Sequence, residues 1–214
     1  QSGASGDELV ERVNLAHSVL YLLRGAPIVL YGDEFGIIGA GGDKEARQDL
    51  FPTGVRTWRT EERVGSPPIG TGSSFDVVGN PVGAHLAELA AVRQENPALA
   101  TGPTVVRLAK EGTLVLSRFD PASGGRELLV ALNASTSPVT VSVATDTTGV
   151  AWDGLLGASS LPANSPMSTQ YRLMTLQSSK PSRPSARTRR PSKNCSDSAL
   201  NRSRPTTLRS RWPR

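Results

Sequence analysis

The stretch Pro27–Phe51, PIVLYGDEFGIIGAGGDKEARQDLF, decides how the rest of the chain is read. Its start, Ile28 to Tyr31, is apolar without alternation, which predicts a strand covered on both faces, as in a parallel sheet. The run ends at Gly32, Asp33 and Glu34, so two acids fall at the strand's C-terminal end, where α/β folds gather their chemistry. Gly36 to Gly42 is too rich in glycine for a core element and predicts a loop over that end. A charge cluster follows, Asp43, Lys44, Glu45, Arg47 and Asp49.

Toward the N-terminus, Asp7 is placed to cap a helix whose apolar residues fall at Leu9, Val13, Ala16, Leu20 and Leu23. Leu15, Val19 and Leu22 widen that stripe, predicting a helix laid against a large apolar surface. Arg24 and Gly25 close it, and Pro27 cannot continue it. Helix, short turn and buried strand make an αβ unit.

Downstream, residues 52–82 show no period. A second helix is predicted from about Gly83 to Asn96, apolar at Leu86, Leu89, Ala90 and Val92 and stopped by Pro97. The period then changes to two. Strands are predicted at Val105–Leu108, Leu114–Arg118, Leu128–Leu132 and Val139–Val143, with weaker signals at Val150–Leu155 and Tyr171–Leu176. The division expected is an α/β part over 1–98, an antiparallel β-domain over 99–177, and a tail over 178–214.

That tail also explains the charge. Of 24 basic and 19 acidic residues, eleven basic and one acidic lie in 178–214, leaving 13 basic and 18 acidic in the first 177. The net +5 therefore belongs to the tail. Ser, Pro and Arg dominate there, which predicts disorder. The change of composition is abrupt enough to suggest a shifted reading frame. Cys195, the single cysteine, excludes an internal disulfide and a cysteine metal site. No run reaches the ~18 apolar residues of a membrane span, so no membrane partner is expected. Nucleic acid is disfavoured because only the tail is basic. The first residue is Gln1, so the lack of a leader says nothing about destination.

Asp43 and Arg47 stand four apart, so one turn of helix brings them together. A carboxylate accepts from sugar hydroxyls and a guanidinium fork donates to them, so the pair suits the vicinal hydroxyls of one ring. The plain alternative is a surface ion pair. Asp33 and Glu34 are adjacent, and adjacent strand residues point to opposite faces, so they cannot act together on one bond. With Tyr31 and Gly32 they are read as structural groups at the strand end. His17 reads as a packing residue, His85 as exposed, and the pair as no metal site. Trp58 could stack on a sugar. GIIGAGG lacks the βαβ context of a dinucleotide loop.

RGAPIVLYGDEFG followed by GGDKEARQDLF resembles the α-amylase family of glycoside hydrolases at the eighth strand of its (β/α)8 barrel, where G-x-P-x-x-Y-Y-G-D-E is common. Leu30 replaces the first Tyr. LAAVRQENPALATG (89–102) is similar to the family's last barrel helix and its exit into a C-terminal β-domain, and LLVALNAS (128–135) to a strand of that domain. The resemblance covers about residues 7–176. It implies the last helix–strand–helix of a TIM barrel plus an antiparallel β-sandwich. It also implies action on α-1,4-glucans such as starch and maltodextrin by a retaining double displacement, with Asp43 and Arg47 contacting the sugar at the minus-two subsite. The family's nucleophile, acid/base and stabiliser would lie upstream, so none is expected in this chain. No cofactor is expected here either. Calcium would belong to the full-length parent, for which a secreted bacterial enzyme is the favoured setting. A non-catalytic carbohydrate-binding module and an anionic-polymer binder acting through the tail stand as alternatives.

Overall fold

The computed structural model describes residues 6–50, 54–70, 79–120, 124–148, 150–157, 167–169 and 173–181. Helix α1 runs over Asp7–Leu22. A single 3-10 turn follows at Asp33–Phe35, then a short helix α2 at Arg56–Thr60, helix α3 at Pro81–Glu95 and a one-turn α4 at Ala98–Thr101. Strands β1 Thr104–Lys110, β2 Thr113–Asp120, β3 Arg126–Asn133, β4 Val139–Val141, β5 Trp152–Leu156, β6 Met167–Thr169 and β7 Leu173–Pro181 complete the described chain.

Five strands form one sheet in the order β1-β2-β3-β7-β5, and β4 pairs with β6 separately. Every strand pairing is antiparallel. The period of two in β3 divides its side chains between two cores. Leu128, Val130 and Leu132 join Leu22, Leu89 and Leu99 of the helices, while Leu129 and Ala131 join Val115 and Val141 on the other face. The sheet is thus covered by helices on one side and by β4 on the other. All six strand predictions overlap observed strands, although Val139–Val143 overruns β4 by two residues, Val150–Leu155 starts two before β5, and Tyr171 and Arg172 lie outside the described residues. The short β6 carried no signal. Ser178 to Pro181, assigned from composition to the tail, extend β7, because β3 and β5 offer them ladder partners.

Two buried arginines join the layers. Arg118 projects from β2 toward the helices and donates to the carbonyls of Leu22, Ala98, Leu99 and Gly102 at 2.8–3.2 Å. Arg93 of α3 donates to Tyr21, Leu23, Leu99 and Gly25 carbonyls. Together they donate to carbonyls at and just beyond the ends of α1 and α4, where helices leave acceptors over. On the opposite face, the buried Glu127 accepts from Ser117, from Arg107 at 3.1 Å and from the Thr147 N–H at 2.8 Å. Arg107 occupies the register slip of β1, which turns it toward this carboxylate.

Several expectations are corrected. Asp7 is the first residue of α1 rather than its cap, which is Gly6 with no side-chain bond. The apolar stripe of α1 splits, with Leu15 and Leu22 packed in the core and Val19 and Leu20 exposed. Ile28 to Leu30 forms no regular element and Tyr31 begins a turn, because no described strand lies beside the segment to complete a ladder. It is also bare on one face. Ile28 is 86% exposed, and Leu30 and Tyr31 are exposed as well.

Candidate functional site

Residues 32–48 fold as turns anchored from three sides. Gly32 adopts φ of 100° and starts the 3-10 turn. Its N–H donates to the Glu34 carboxylate at 2.8 Å, so Glu34 is spent on the backbone two residues away. Asp33 lies 3.6 Å from His17 Nε2 of α1. The two acids therefore part as expected, by a turn instead of by strand alternation. His17 makes this contact as well as packing.

Asn80 holds the turn from below. Fully buried, it donates through Nδ2 to the carbonyls of Phe35 at 3.0 Å and Val64 at 3.1 Å and to Ser66 Oγ at 2.8 Å. Its Oδ1 accepts from the N–H groups of Val82 at 2.8 Å and Gly83 at 3.3 Å, capping α3. Gly36 is pressed against the same loop. A Cβ there would sit 2.2 Å from the Val64 carbonyl oxygen, and φ is +71°. The sequence reading started α3 two residues late and missed this residue. The signal was present, since Asn directly before Pro is a helix cap followed by the residue favoured at the first helical position.

Glu61 sets the outer part of the loop. One carboxylate oxygen accepts from the Ala40 N–H at 2.7 Å and the other from the buried Gln48 side chain. Both ends of the 41–47 segment are therefore tied to one residue. Nothing in sequence could show this, because the partners are 21 and 13 residues away across irregular chain.

Between those ties, the Ala46 N–H donates to the Gly42 carbonyl at 2.9 Å, and this single turn brings Asp43 and Arg47 together as their spacing predicts. Arg47 Nη2 donates to Asp43 Oδ2 at 2.7 Å and to Oδ1 at 3.0 Å. Both side chains face solvent, 81% exposed for Asp43 and 65% for Arg47. An exposed pair of this kind adds little to stability, about 1 kcal/mol or less. It leaves most of the guanidinium's donors and the carboxylate's lone pairs open to a ligand. Trp58 lies half-buried on α2. His85, expected at the surface, is half-buried with its Nε2 2.8 Å from Ser18 Oγ.

Among the described residues, no group of three or more His, Cys, Asp or Glu could hold a metal ion. No described helix is long and apolar enough to cross a membrane.

No family model matches the chain. Over 156 residues it is 35% identical to an α-amylase of Streptomyces lividans, a match covering 72% of this chain and 17% of that protein. The chain thus spans about a sixth of the length of this curated relative. Among solved structures, an Anoxybacillus α-amylase superposes with a TM-score of 0.61 at 18% identity, covering 80% of this chain and 33% of that one. AmyP in complex with maltose gives 0.59 at 16% identity, covering 83% and 36%. The Geobacillus thermoleovorans α-amylase complexed with acarbose gives 0.57 at 18%, covering 79% and 33%. At these identities the structural likeness is one of fold.

Proposed function

The chain belongs to the α-amylase family of glycoside hydrolases, and we propose that it supplies part of the sugar-binding side of a retaining enzyme acting on α-1,4-glucans. In this reading residues 1–98 are the last helix–strand–helix of a (β/α)8 barrel, 99–181 a C-terminal β-sandwich that includes the end of β7, and the rest an appended basic tail. The catalytic nucleophile, the acid/base and the stabiliser come from sequence outside this chain, as does any calcium site. The chain by itself is a binding element and not a hydrolase.

The observation that carries this is the Asp43–Arg47 pair, in which Arg47 Nη2 reaches both carboxylate oxygens, held in solvent by a loop whose two ends are fixed by Glu61. A pair made only for stability would gain little there, whereas a preformed donor–acceptor fork fits the hydroxyls of one glucosyl ring. The bare face of Ile28 and Leu30 supports the barrel assignment. Apolar side chains along an unpaired segment suit a position between two neighbouring strands. Maltose and acarbose in related structures agree with the ligand class.

Affinity electrophoresis in amylopectin gels tests the reading. Arg47→Ala is expected to reduce retention, Glu61→Ala to reduce it less by loosening the loop, and neither to change the far-UV spectrum. Purified chain should release no reducing sugar from maltoheptaose. Retention equal to wild type in Arg47→Ala, or genuine hydrolysis by the chain, would overturn it.

A further inference from the structure

The helix layer and the β3–β4 loop enclose a cleft of about 350 Å3, none of whose lining residues belongs to the 27–51 stretch. That volume lies at the lower end of the ~300–1,000 Å3 typical of small-molecule sites. Leu15 and Leu156 provide its apolar surface. Ser18, His85 and Glu88 line it from α1 and α3, and Thr136 and Ser137 from the loop.

Both walls are preformed. The nearly buried Asn133 accepts from the Ser135 N–H at 3.0 Å and donates to the Ser137 carbonyl at 2.9 Å, which shapes the loop. On the helix side, Ser18 Oγ donates to the Asn14 carbonyl at 2.7 Å. With that proton committed, the contact with His85 Nε2 has the ring as donor. Burial lowers the pKa of His85, against the opposing charge of Glu88, so the imidazole is neutral near pH 7. A neutral ring offers one donor and one acceptor. The side-chain oxygen of Asn14, also at the cleft, is buried and has no hydrogen-bond partner.

The lining chemistry narrows the ligand. Among the described residues, no lysine or arginine borders the cleft, so an anion finds no counter-charge from them. Its carboxylates, Glu11 and Glu88, belong to no group of three metal-ligating side chains among the described residues. What remains is a mixture of hydroxyls, amides and carboxylate acceptors beside two leucines. That mixture complements a neutral polyhydroxylated ring, whose hydroxyls both donate and accept and whose C–H face is apolar.

We propose that this cleft binds a neutral saccharide of one or two pyranose units, at a second sugar site separate from the Asp43–Arg47 loop. The choice of glucosyl units rests on the function proposed above, while the site rests on the cleft alone.

The test is saturation-transfer NMR of maltose with the full chain carrying Asp43→Ala and Arg47→Ala, which removes the first site. Maltose is expected to receive saturation in this background. Adding Glu88→Leu and Ser137→Trp should weaken binding about tenfold or more. Should the tryptophan lower the folded content by circular dichroism, Glu88→Leu alone, neutral for helix formation, should still weaken it. Absence of transfer in the first background, or unchanged binding after the cleft substitutions, would overturn the proposal. Failure of the reading at the Asp43–Arg47 loop shows separately, as amylopectin retention indifferent to Arg47→Ala.

Discussion

Arg118→Met is the most informative perturbation of this fold. The side chain is fully buried, and its guanidinium donates to four backbone carbonyls, Ala98 at 2.8 Å, Leu99 and Gly102 at 3.1 Å and Leu22 at 3.2 Å. The acceptors come from the ends of α1 and α4, so one residue of the sheet holds two helix ends. Hydrogen bonds to a charged group contribute about 1.5–3 kcal/mol each, and three N–H groups, two on Nη2 and one on Nη1, serve these carbonyls, for a gross stabilisation of roughly 5–9 kcal/mol. Opposing this is the cost of burying a cation, several kcal/mol. No carboxylate is among the partners of Arg118. Its pKa is lowered first by burial and then by the nearby charges of Arg93 and Arg24, which is the mark of that cost. Methionine escapes the cost, and of the four carbonyls Ala98 keeps the Gly102 N–H and Leu99 keeps Arg93, so the loss falls mainly on Leu22 and Gly102. The net expected is a loss of about 2–4 kcal/mol. At a urea m-value of ~2 kcal/mol/M this is a fall of about 1–2 M in the midpoint, read by circular dichroism on dilute chain. Arg118→Lys, with its compact head, should recover only part of it. A methionine variant with the wild-type midpoint and slope would refute the view that these carbonyls need the guanidinium.

Two further predictions separate competing accounts. By helix-cap preference alone, Asn80→Asp should be neutral. Because the Asn80 amide also donates to Phe35, Val64 and Ser66, the carboxylate would face two carbonyls, and a loss of about 3 kcal/mol or more is expected in thermal or urea unfolding. A neutral result would mean that the 32–36 turn does not depend on it. For His85, the folded pKa lies below the unfolded value of about 6.5. The unfolded chain then binds the proton more readily, so this histidine's contribution is full above the unfolded pKa and is lost as pH falls through the folded one. Wild type should therefore lose more stability between pH 7 and pH 5 than His85→Gln; equal losses would contradict a buried neutral ring.

The local part of the candidate site was legible in the sequence. Asp43 and Arg47 are four residues apart, and one turn is enough to join them whatever surrounds it. The strands were legible for the same reason, since a period of two is a property of neighbours along the chain. Glu61, Asn80, Arg93 and Arg118 were not, because their roles consist of bonds to backbone far away in sequence. A polar side chain announces no partner until the fold supplies one.

Ile28 to Tyr31 marks the boundary between the two kinds of information. Its composition determined an apolar segment ending in a Gly-Asp-Glu turn, and the turn forms while the strand does not. Whether such a segment is a strand depends on ladder partners from elsewhere, which composition does not encode, and among the described residues it has none. The sequence alone thus determined the two long helices, six of the seven strands and the Asp43–Arg47 contact, all governed by residues a few positions apart. Only the tertiary structure decided which carbonyls the buried arginines would satisfy, which face of the sheet each core would occupy, and that a polar cleft would open between helix and loop. Those outcomes depend on burial and on long-range hydrogen bonds, and these exist only once the layers have met.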